Sequence, residues 1–209
     1  MILPGASIHG AQHFLLQYLW NHSMNNALQI GATIGILGGG QLGRMLSIAA
    51  SRIGLRTHIF EPSTSPPASH VTDSVTTASF NDADALRRFA ADVDVITYEF
   101  ENIPTSTLDI LETICPIRPG RRALSISQDR LIEKEFLNEL GLKTAPYANV
   151  TCTSEALQAA NDIGTPSILK MRRMGYDGKG QIRLETKADM PGAWDKMQGA
   201  ASVLEGFIN

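Results

Sequence analysis

Apolar and polar positions follow two alternating periods in the first half of the chain. An apolar run at 33–37 is followed by three glycines, a helical pattern over about 41–53, and a second apolar run at 56–60. Gly54 stands where a helix usually ends. Strand, helix and strand in this order predict a parallel crossover unit.

A second group of elements continues this alternation. The stretch Asn81-Asp82-Ala83-Asp84 is typical of a helix start, and a strand is predicted over Val93–Tyr98. A helix is then predicted from Pro104 to near Thr113, followed by a short strand around Cys115–Ile117. The pattern predicts a small doubly wound α/β domain with a parallel sheet over residues 32–120.

The order of elements changes after this domain. Ser127 is predicted to cap a helix with an apolar face of Ile132, Phe136 and Leu140, and Gly141 is predicted to end that helix. Strands are predicted next at 147–150, 167–171, 181–185 and 202–205, with helices at 154–163 and 188–197. This mixed order predicts a linker helix and an incomplete α+β domain over 121–209.

The first 31 residues are predicted to be an extension, either disordered or forming an ordered amphipathic helix. Residues 1–23 contain no Lys or Arg, unlike a secretory signal, and the apolar stretch Phe14–Trp20 is too short to span a bilayer. We expect Met24 to be the natural start.

The composition is that of a globular protein. The chain has 209 residues, 43% of them apolar, and a net charge of −3. With 18 Lys and Arg against 21 Asp and Glu, there is no basic excess to favour nucleic acid or an anionic membrane as partner. Cys115 and Cys152 are isolated and predict neither a disulfide framework nor a metal site, so a reducing cytoplasm fits best.

Two motifs fall at the predicted carboxyl edge of the first sheet. The run Gly38-Gly39-Gly40-Gln41-Leu42-Gly43 fits GxGxxG, and Glu61 ends the next strand, where dinucleotide folds keep a ribose acceptor. NAD, the phosphate of a ribonucleotide, or a tight turn without a ligand would each explain the glycines, and Pro62 disfavours NAD. In the run Tyr98–Asn102, Glu99 is a candidate to orient an amine or a ribose, unless this loop is simply solvated.

The second domain carries a lysine and a glycine loop. Lys170 ends an apolar strand, and Met174–Gln181 has three glycines whose neighbours' N–H groups could meet the oxyanions of ATP. Arg130, Arg172, Arg173 and Lys179 complete a basic group, although Arg172 and Arg173 would also suit solvated strand ends. The segment Glu205–Ile208 could offer backbone groups to an adenine edge, although alone it is a weak signal.

Four motifs in order resemble the 5-(carboxyamino)imidazole ribonucleotide synthase family of ATP-grasp enzymes. They are Gly38–Leu46, Tyr98–Asn102, Gln128–Arg130 and Gly175–Gln181. The resemblance runs from about Ile34 to Asn209. It implies a pre-ATP-grasp domain followed by the first, small subdomain of an ATP-grasp domain, truncated.

The activity implied by this resemblance is a ligase reaction of purine biosynthesis. ATP would phosphorylate bicarbonate, and the carboxyphosphate or its CO2 would carboxylate the exocyclic amine of aminoimidazole ribonucleotide, releasing ADP and phosphate. The positions that match the family's ATP contacts are Arg130, Lys170, Gly175, Tyr176, Asp177, Gly178, Lys179, Gly180, Gln181, Glu205, Gly206, Phe207 and Ile208. Those that match its ribonucleotide contacts are Gly40, Gln41, Leu42 and Glu99.

The resemblance also implies features that this chain does not carry. The family continues past the position of Asn209, with the Glu and Asn-Glu ligands of Mg2+, so we expect no metal site here and negligible ATP turnover by this chain alone. We also expect an apolar patch on the open half of the ATP cleft, and a homodimer, as is common in the family. The alternatives are a related glycinamide ribonucleotide formyltransferase, which Gln41-Leu42 and Tyr98–Asn102 disfavour, and a non-catalytic ribonucleotide-binding remnant.

Overall fold

Four parallel strands form the first sheet in a computed structural model that describes residues 27–175 and 178–208. In spatial order they are β3 (Ser74–Thr77), β2 (Arg56–Glu61), β1 (Thr33–Leu37) and β4 (Val95–Tyr98). The helices are α1 (Gln41–Arg52), α2 (Ala83–Ala91) and α3 (Thr105–Leu111), with a 3-10 turn at Pro67–His70. The predicted parallel α/β architecture is confirmed. The short strand expected at 115–117 is reduced to one bridge between Ile117 and Ile96.

The two faces of this sheet are covered unequally. One face packs Leu37, Phe60 and Ile96 against Phe89 of α2 and Leu108 of α3. Among the described residues, the opposite face has a smaller cluster of Ile36, Ile59 and Ala68. Parallel strands are normally buried on both faces, so the described residues bury this second face less than the first.

Two helices connect the first sheet to the second. They are α4 (Arg121–Ser127) and α5 (Arg130–Glu139), and α4 was not predicted from the sequence. Ser127 ends α4 and donates to Leu124 O, so the prediction that it caps the following helix was wrong. Asp129 is the N-cap of α5 instead, because its extended backbone lets Oδ1 accept from Leu131 N at 3.0 Å.

The expected apolar face of α5 is not buried. The structure gives α5 no buried residue, and Ile132 and Leu140 are exposed. Phe136 is half-buried, with the Arg122 guanidinium 5.5 Å from its ring centre. The helix ends near Gly141, which has the positive φ predicted for it.

The second sheet is antiparallel. Its order is β5 (Tyr147–Val150), β8 (Ser202–Gly206), β6 (Ser167–Met171) and β7 (Gln181–Leu184). Helices α6 (Thr153–Ile163) and α7 (Met190–Lys196) pack on one face over Leu169 and Leu204, and a 3-10 turn at Lys187–Asp189 precedes α7. Since successive strand side chains alternate, Lys170 and Glu205 lie on the opposite face. The predicted mixed α+β unit is confirmed.

Within the described part of the chain, no helix has the length and apolar character needed to cross a membrane. The predicted extension over residues 1–31 lies mostly outside the described residues, which begin at Ala27.

Candidate functional site

Glu99 fills the glycine turn at the start of α1. Its Oε1 accepts from Gly40 N and its Oε2 from Gly43 N, each at 2.7 Å. Gly38 makes room for this contact, because a Cβ there would lie 2.5 Å from Glu99 Cγ. Gly40 and Glu99, both predicted to bind the ribonucleotide, are thus hydrogen-bonded to each other.

The next two predicted substrate positions, Gln41 and Leu42, form the first turn of α1. Both are exposed, and Leu42 has 55% of its surface accessible. They therefore stand beside the Glu99 carboxylate at the carboxyl edge of the sheet, where ligands of such sheets usually bind.

Glu61 also turns toward the glycines. Its Oε2 accepts from Gly39 N at 2.9 Å, and its Oε1 accepts from Ser63 N at 3.0 Å. A dinucleotide-binding site would instead direct this carboxylate at ribose hydroxyls. The NAD alternative depended on that orientation and loses its main support.

On the face of the second sheet opposite α6 and α7, two lysines share one carboxylate. Lys170 Nζ lies 2.9 Å and Lys134 Nζ 3.3 Å from Glu205 Oε2. The three side chains are only 21%, 13% and 11% exposed, respectively. One negative charge faces two positive ones in a partly buried patch, so a net positive charge is available to an anionic ligand.

Lys134 was missed in the sequence analysis. The signal for it was its spacing, since it follows Arg130 by four residues on the same face of α5. Its ammonium group also lies 5.4 Å from the ring centre of Tyr147 on β5. Helix α5 therefore contributes a second cation to the patch around Glu205.

The glycine loop follows β6 and returns as β7. Gly178 and Gly180 have φ values of 77° and 68°, and Met171 N donates to Gly180 O at 2.8 Å to close the turn. Arg130 Nη2 donates to Gly175 O at 3.1 Å. Tyr176 and Asp177 lie outside the described residues, Lys179 is exposed, and Gln181 opens β7 opposite Lys170.

Arg172 and Arg173 both have side-chain partners, although Arg173 is also exposed, as a solvated strand end would be. Arg172 grips Asp129 through Nε and Nη2, the shortest contact being 2.7 Å, and Arg173 Nη2 donates to Gln128 Oε1 at 2.7 Å. Burial alone would raise the pKa of Asp129, but hydrogen bonds from Arg172 and Leu131 N and the Arg172 charge outweigh it and lower that pKa.

The segment Glu205–Ile208 begins at the end of β8, next to the patch of Lys134, Lys170 and Glu205. Gly206 N donates to Pro146 O and Phe207 N to Pro166 O, so both N–H groups are engaged within the protein. These two donors are therefore not free for an adenine edge, and the prediction that other backbone groups of the segment meet adenine stays a prediction. Ile208 is 69% exposed, and the Arg183 guanidinium lies 4.1 Å from the Phe207 ring centre.

Two family models match the chain in the same order as the two sheets. Residues 31–128 match the ribonucleotide synthetase preATP-grasp domain, and residues 135–209 match the ATP-grasp domain. The chain therefore belongs to the ATP-grasp class, with a preATP-grasp domain ahead of the ATP-grasp domain.

Within this class the sequence is related to the amino-terminal portion of N5-carboxyaminoimidazole ribonucleotide synthases. It is 48% identical to the enzyme of Brucella melitensis over 87% of this chain and 51% of that protein. It is 38% identical to that of Pseudomonas aeruginosa over 84% of this chain and 48% of the relative. The chain therefore spans about half the length of these curated relatives.

Solved structures agree with this relationship. N5-carboxyaminoimidazole synthetase from Staphylococcus aureus, complexed with ADP, matches with a TM-score of 0.83 and 38% identity over 88% of this chain and 49% of that one. The Aspergillus clavatus synthase, in complex with ADP and 5-aminoimidazole ribonucleotide, matches with a TM-score of 0.75 and 27% identity. That match covers 85% of this chain and 47% of the other.

Proposed function

We propose that this chain supplies the ribonucleotide-binding domain and part of the ATP-binding region of a carboxylating ligase. The reaction is the ATP-dependent carboxylation of aminoimidazole ribonucleotide with bicarbonate, giving 5-(carboxyamino)imidazole ribonucleotide, ADP and phosphate. The observation that carries this proposal is the patch of Lys134, Lys170 and Glu205 beside the glycine loop. It gives an excess of positive charge at the position where phosphoryl transfer needs charge to be neutralised.

The two sheets have separate roles in this proposal. Gly40, Gln41, Leu42 and Glu99 at the edge of the first sheet hold the ribonucleotide and orient its amine. Lys170, with Arg130 and the loop Gly175–Gln181, holds the phosphates of ATP. The segment Glu205–Ile208 lies along the adenine, where the apolar surfaces of Phe207 and Ile208 suit a purine ring better than its engaged backbone N–H groups would.

Several parts of the proposal come from the family rather than from contacts in this structure. These are bicarbonate as the co-substrate, Mg2+ accompanying ATP, a homodimer, and a cytoplasmic location. Within residues 27–175 and 178–208, no group of three or more His, Cys, Asp or Glu side chains fits a metal ion.

Calorimetric titration of ADP into the protein tests the ATP-binding part of the proposal. Lys170→Met and Lys134→Met each remove one of the two cations at Glu205, and each should weaken ADP binding by about tenfold, or about 1.4 kcal/mol. Lys143→Met, at an exposed position of the same residue type, is the matched control and should leave ADP affinity unchanged.

The pattern of affinities decides the outcome. Equal ADP affinity in the wild-type protein and in both patch variants would show that the patch does not bind nucleotide. Titration of aminoimidazole ribonucleotide into the wild-type protein tests the other site, and the absence of heat at millimolar ligand would remove the ribonucleotide from the proposal.

A further inference from the structure

Gln128 lies between the two proposed sites and contacts the loops of both. Its side chain is buried, and Nε2 donates to Glu101 O at 2.8 Å and to Ile103 O at 2.6 Å. Its Oε1 accepts from Arg173 Nη2 at 2.7 Å. The amide therefore joins the loop that carries Glu99 to the segment that leads into the glycine loop.

The next two residues, Asp129 and Arg130, contact the segment that leads into the glycine loop. Asp129 grips the Arg172 guanidinium, and Arg130 N donates to Arg172 O at 2.9 Å. The Arg130 side chain then reaches Gly175 O, the first glycine of the loop. Three consecutive residues thus fasten the stretch from Arg172 to Gly175, while Gln128 alone of the three also holds the loop of the first sheet.

The amide of Gln128 cannot follow one loop and leave the other without losing hydrogen bonds. An unpaired buried polar group costs about 1–3 kcal/mol, and here both ends of the amide are engaged. If the 101–103 loop shifts, either the Arg173 side chain moves with it or the hydrogen bonds of the buried Gln128 amide are broken at a cost in free energy.

We propose that Gln128 is a positioning residue that couples ribonucleotide binding at the first sheet to nucleotide binding at the glycine loop. A ribonucleotide that orders the loop around Glu99 also fixes Arg173 and the entry to the glycine loop, and so favours the nucleotide. The coupling is reciprocal, as linkage requires. This inference rests on the proposed function, because it takes both ligands from it.

Titration of ADP in the absence and presence of saturating aminoimidazole ribonucleotide measures the coupling. In the wild-type protein, the ribonucleotide should tighten ADP binding at least about fivefold, the lower end of ordinary coupling energies. Gln128→Glu keeps an acceptor for Arg173 but loses both donors to the 101–103 loop. In this variant the two ADP affinities should agree within about twofold.

Arg173→Met removes the same hydrogen bond from the side of the second domain and leaves the buried Gln128 amide in place. It therefore provides a second test of the coupling if Gln128→Glu fails to fold. It should also abolish the coupling, and Arg173→Lys, which keeps a donor, should restore part of it. Gln29→Glu makes the matched change at an exposed glutamine and should keep the wild-type ratio. Thermal midpoints measured beside each titration separate lost coupling from lost stability.

The titrations distinguish failure of the coupling from failure of the proposed function. A wild-type ratio near one, or an undiminished ratio in a folded Gln128→Glu or Arg173→Met variant, overturns the coupling while both ligands still bind. If ADP does not bind to the wild-type protein at all, the proposed function fails first and the coupling falls with it.

Discussion

His58 is a buried histidine at the centre of β2. Its Nε2 lies 2.8 Å from Thr76 Oγ1, and its ring meets Phe89 edge-on, with ring centres 4.9 Å apart. Burial lowers the pKa of His58, and the negative charge of Asp92 opposes this shift without outweighing it. The folded protein therefore keeps this ring neutral at pH values where the unfolded chain has begun to protonate it.

Stability should accordingly fall as the pH falls. The contribution of His58 is complete above its unfolded pKa of about 6.5 and is lost as the pH drops toward the lowered folded pKa, with a slope of at most about 1.4 kcal/mol per pH unit. Urea denaturation of the wild-type protein and His58→Gln between pH 7 and pH 5 measures this slope. The variant should lose the His58 part of it.

A matched change at an exposed histidine, His70→Gln, controls for the substitution itself. Equal pH slopes in the wild-type protein and in His58→Gln would show that the buried ring does not contribute to the pH dependence.

The residues of the candidate site could be predicted from sequence only by type and position. A lysine at a strand end and a glycine loop are local patterns, so Lys170 and Gly175 were found. The partners of Gln128 and Asp129 were not found, because Arg173 and Arg172 lie 45 and 43 positions further along the chain. Such pairs depend on how the two domains meet, which no local periodicity records.

The turn between β1 and α1 is the element on which the first site depends. Gly38 has a φ of 98°, and an added Cβ would lie 2.8 Å from both Glu99 Oε1 and Phe100 Cδ1. Gly38→Ala combines backbone strain with a contact that displaces the carboxylate. We expect it to lower the free energy of unfolding by at least about 2 kcal/mol.

Gly120→Ala is the control for that change. Gly120 precedes α4 with a φ of −75°, and no atom lies within 4 Å of the added Cβ. Its effect on urea denaturation should stay within about 1 kcal/mol. If the two variants were equally stable, the position of the Glu99 carboxylate would not require a glycine at position 38.

Most elements could be predicted because their apolar periods are strong. The two elements missed outright as regular structure, β3 and α4, have weak periods. The sequence of β3, Ser-Val-Thr-Thr, is polar with no buried position, and α4 buries only Leu124. Strand β3 forms because it pairs with β2 at the edge of the sheet, and α4 forms in the connection between the two domains. Neither is specified by a pattern within its own residues.

At the scale of the whole molecule, helix α1 exposes several large apolar side chains. Leu42, Met45, Leu46 and Ile53 form a stripe at helical spacing, and each is at least 40% exposed. Beside the stripe, a groove of about 350 Å³ is lined by Ile34, Ile36, Leu46, Ala49, Ala50, Ile53 and Thr97. Met174 and Ile208 are also exposed, and the apolar patch expected at the ATP cleft stays a prediction.

An apolar stripe of this kind favours association. We expect the wild-type protein to self-associate as its concentration rises in sedimentation velocity, and the double variant Met45→Lys/Ile53→Lys to stay monomeric. Ile114→Lys/Leu157→Lys places the same charges on exposed apolar residues away from α1 and should behave like the wild-type protein. A wild-type protein that is monomeric at every concentration would contradict this expectation.

The glycine turn of the first sheet has a wider consequence. The N–H groups of Gly39, Gly40 and Gly43 donate to the carboxylates of Glu61 and Glu99, so negative charge from the chain itself already lies at the positive end of α1. We therefore expect a ribonucleotide at this edge to be recognised by its hydroxyls, amine and ring more than by attraction of its phosphate to the helix. A glycine motif predicts that a turn has free N–H donors, but the acceptors of those donors are known only from the folded structure.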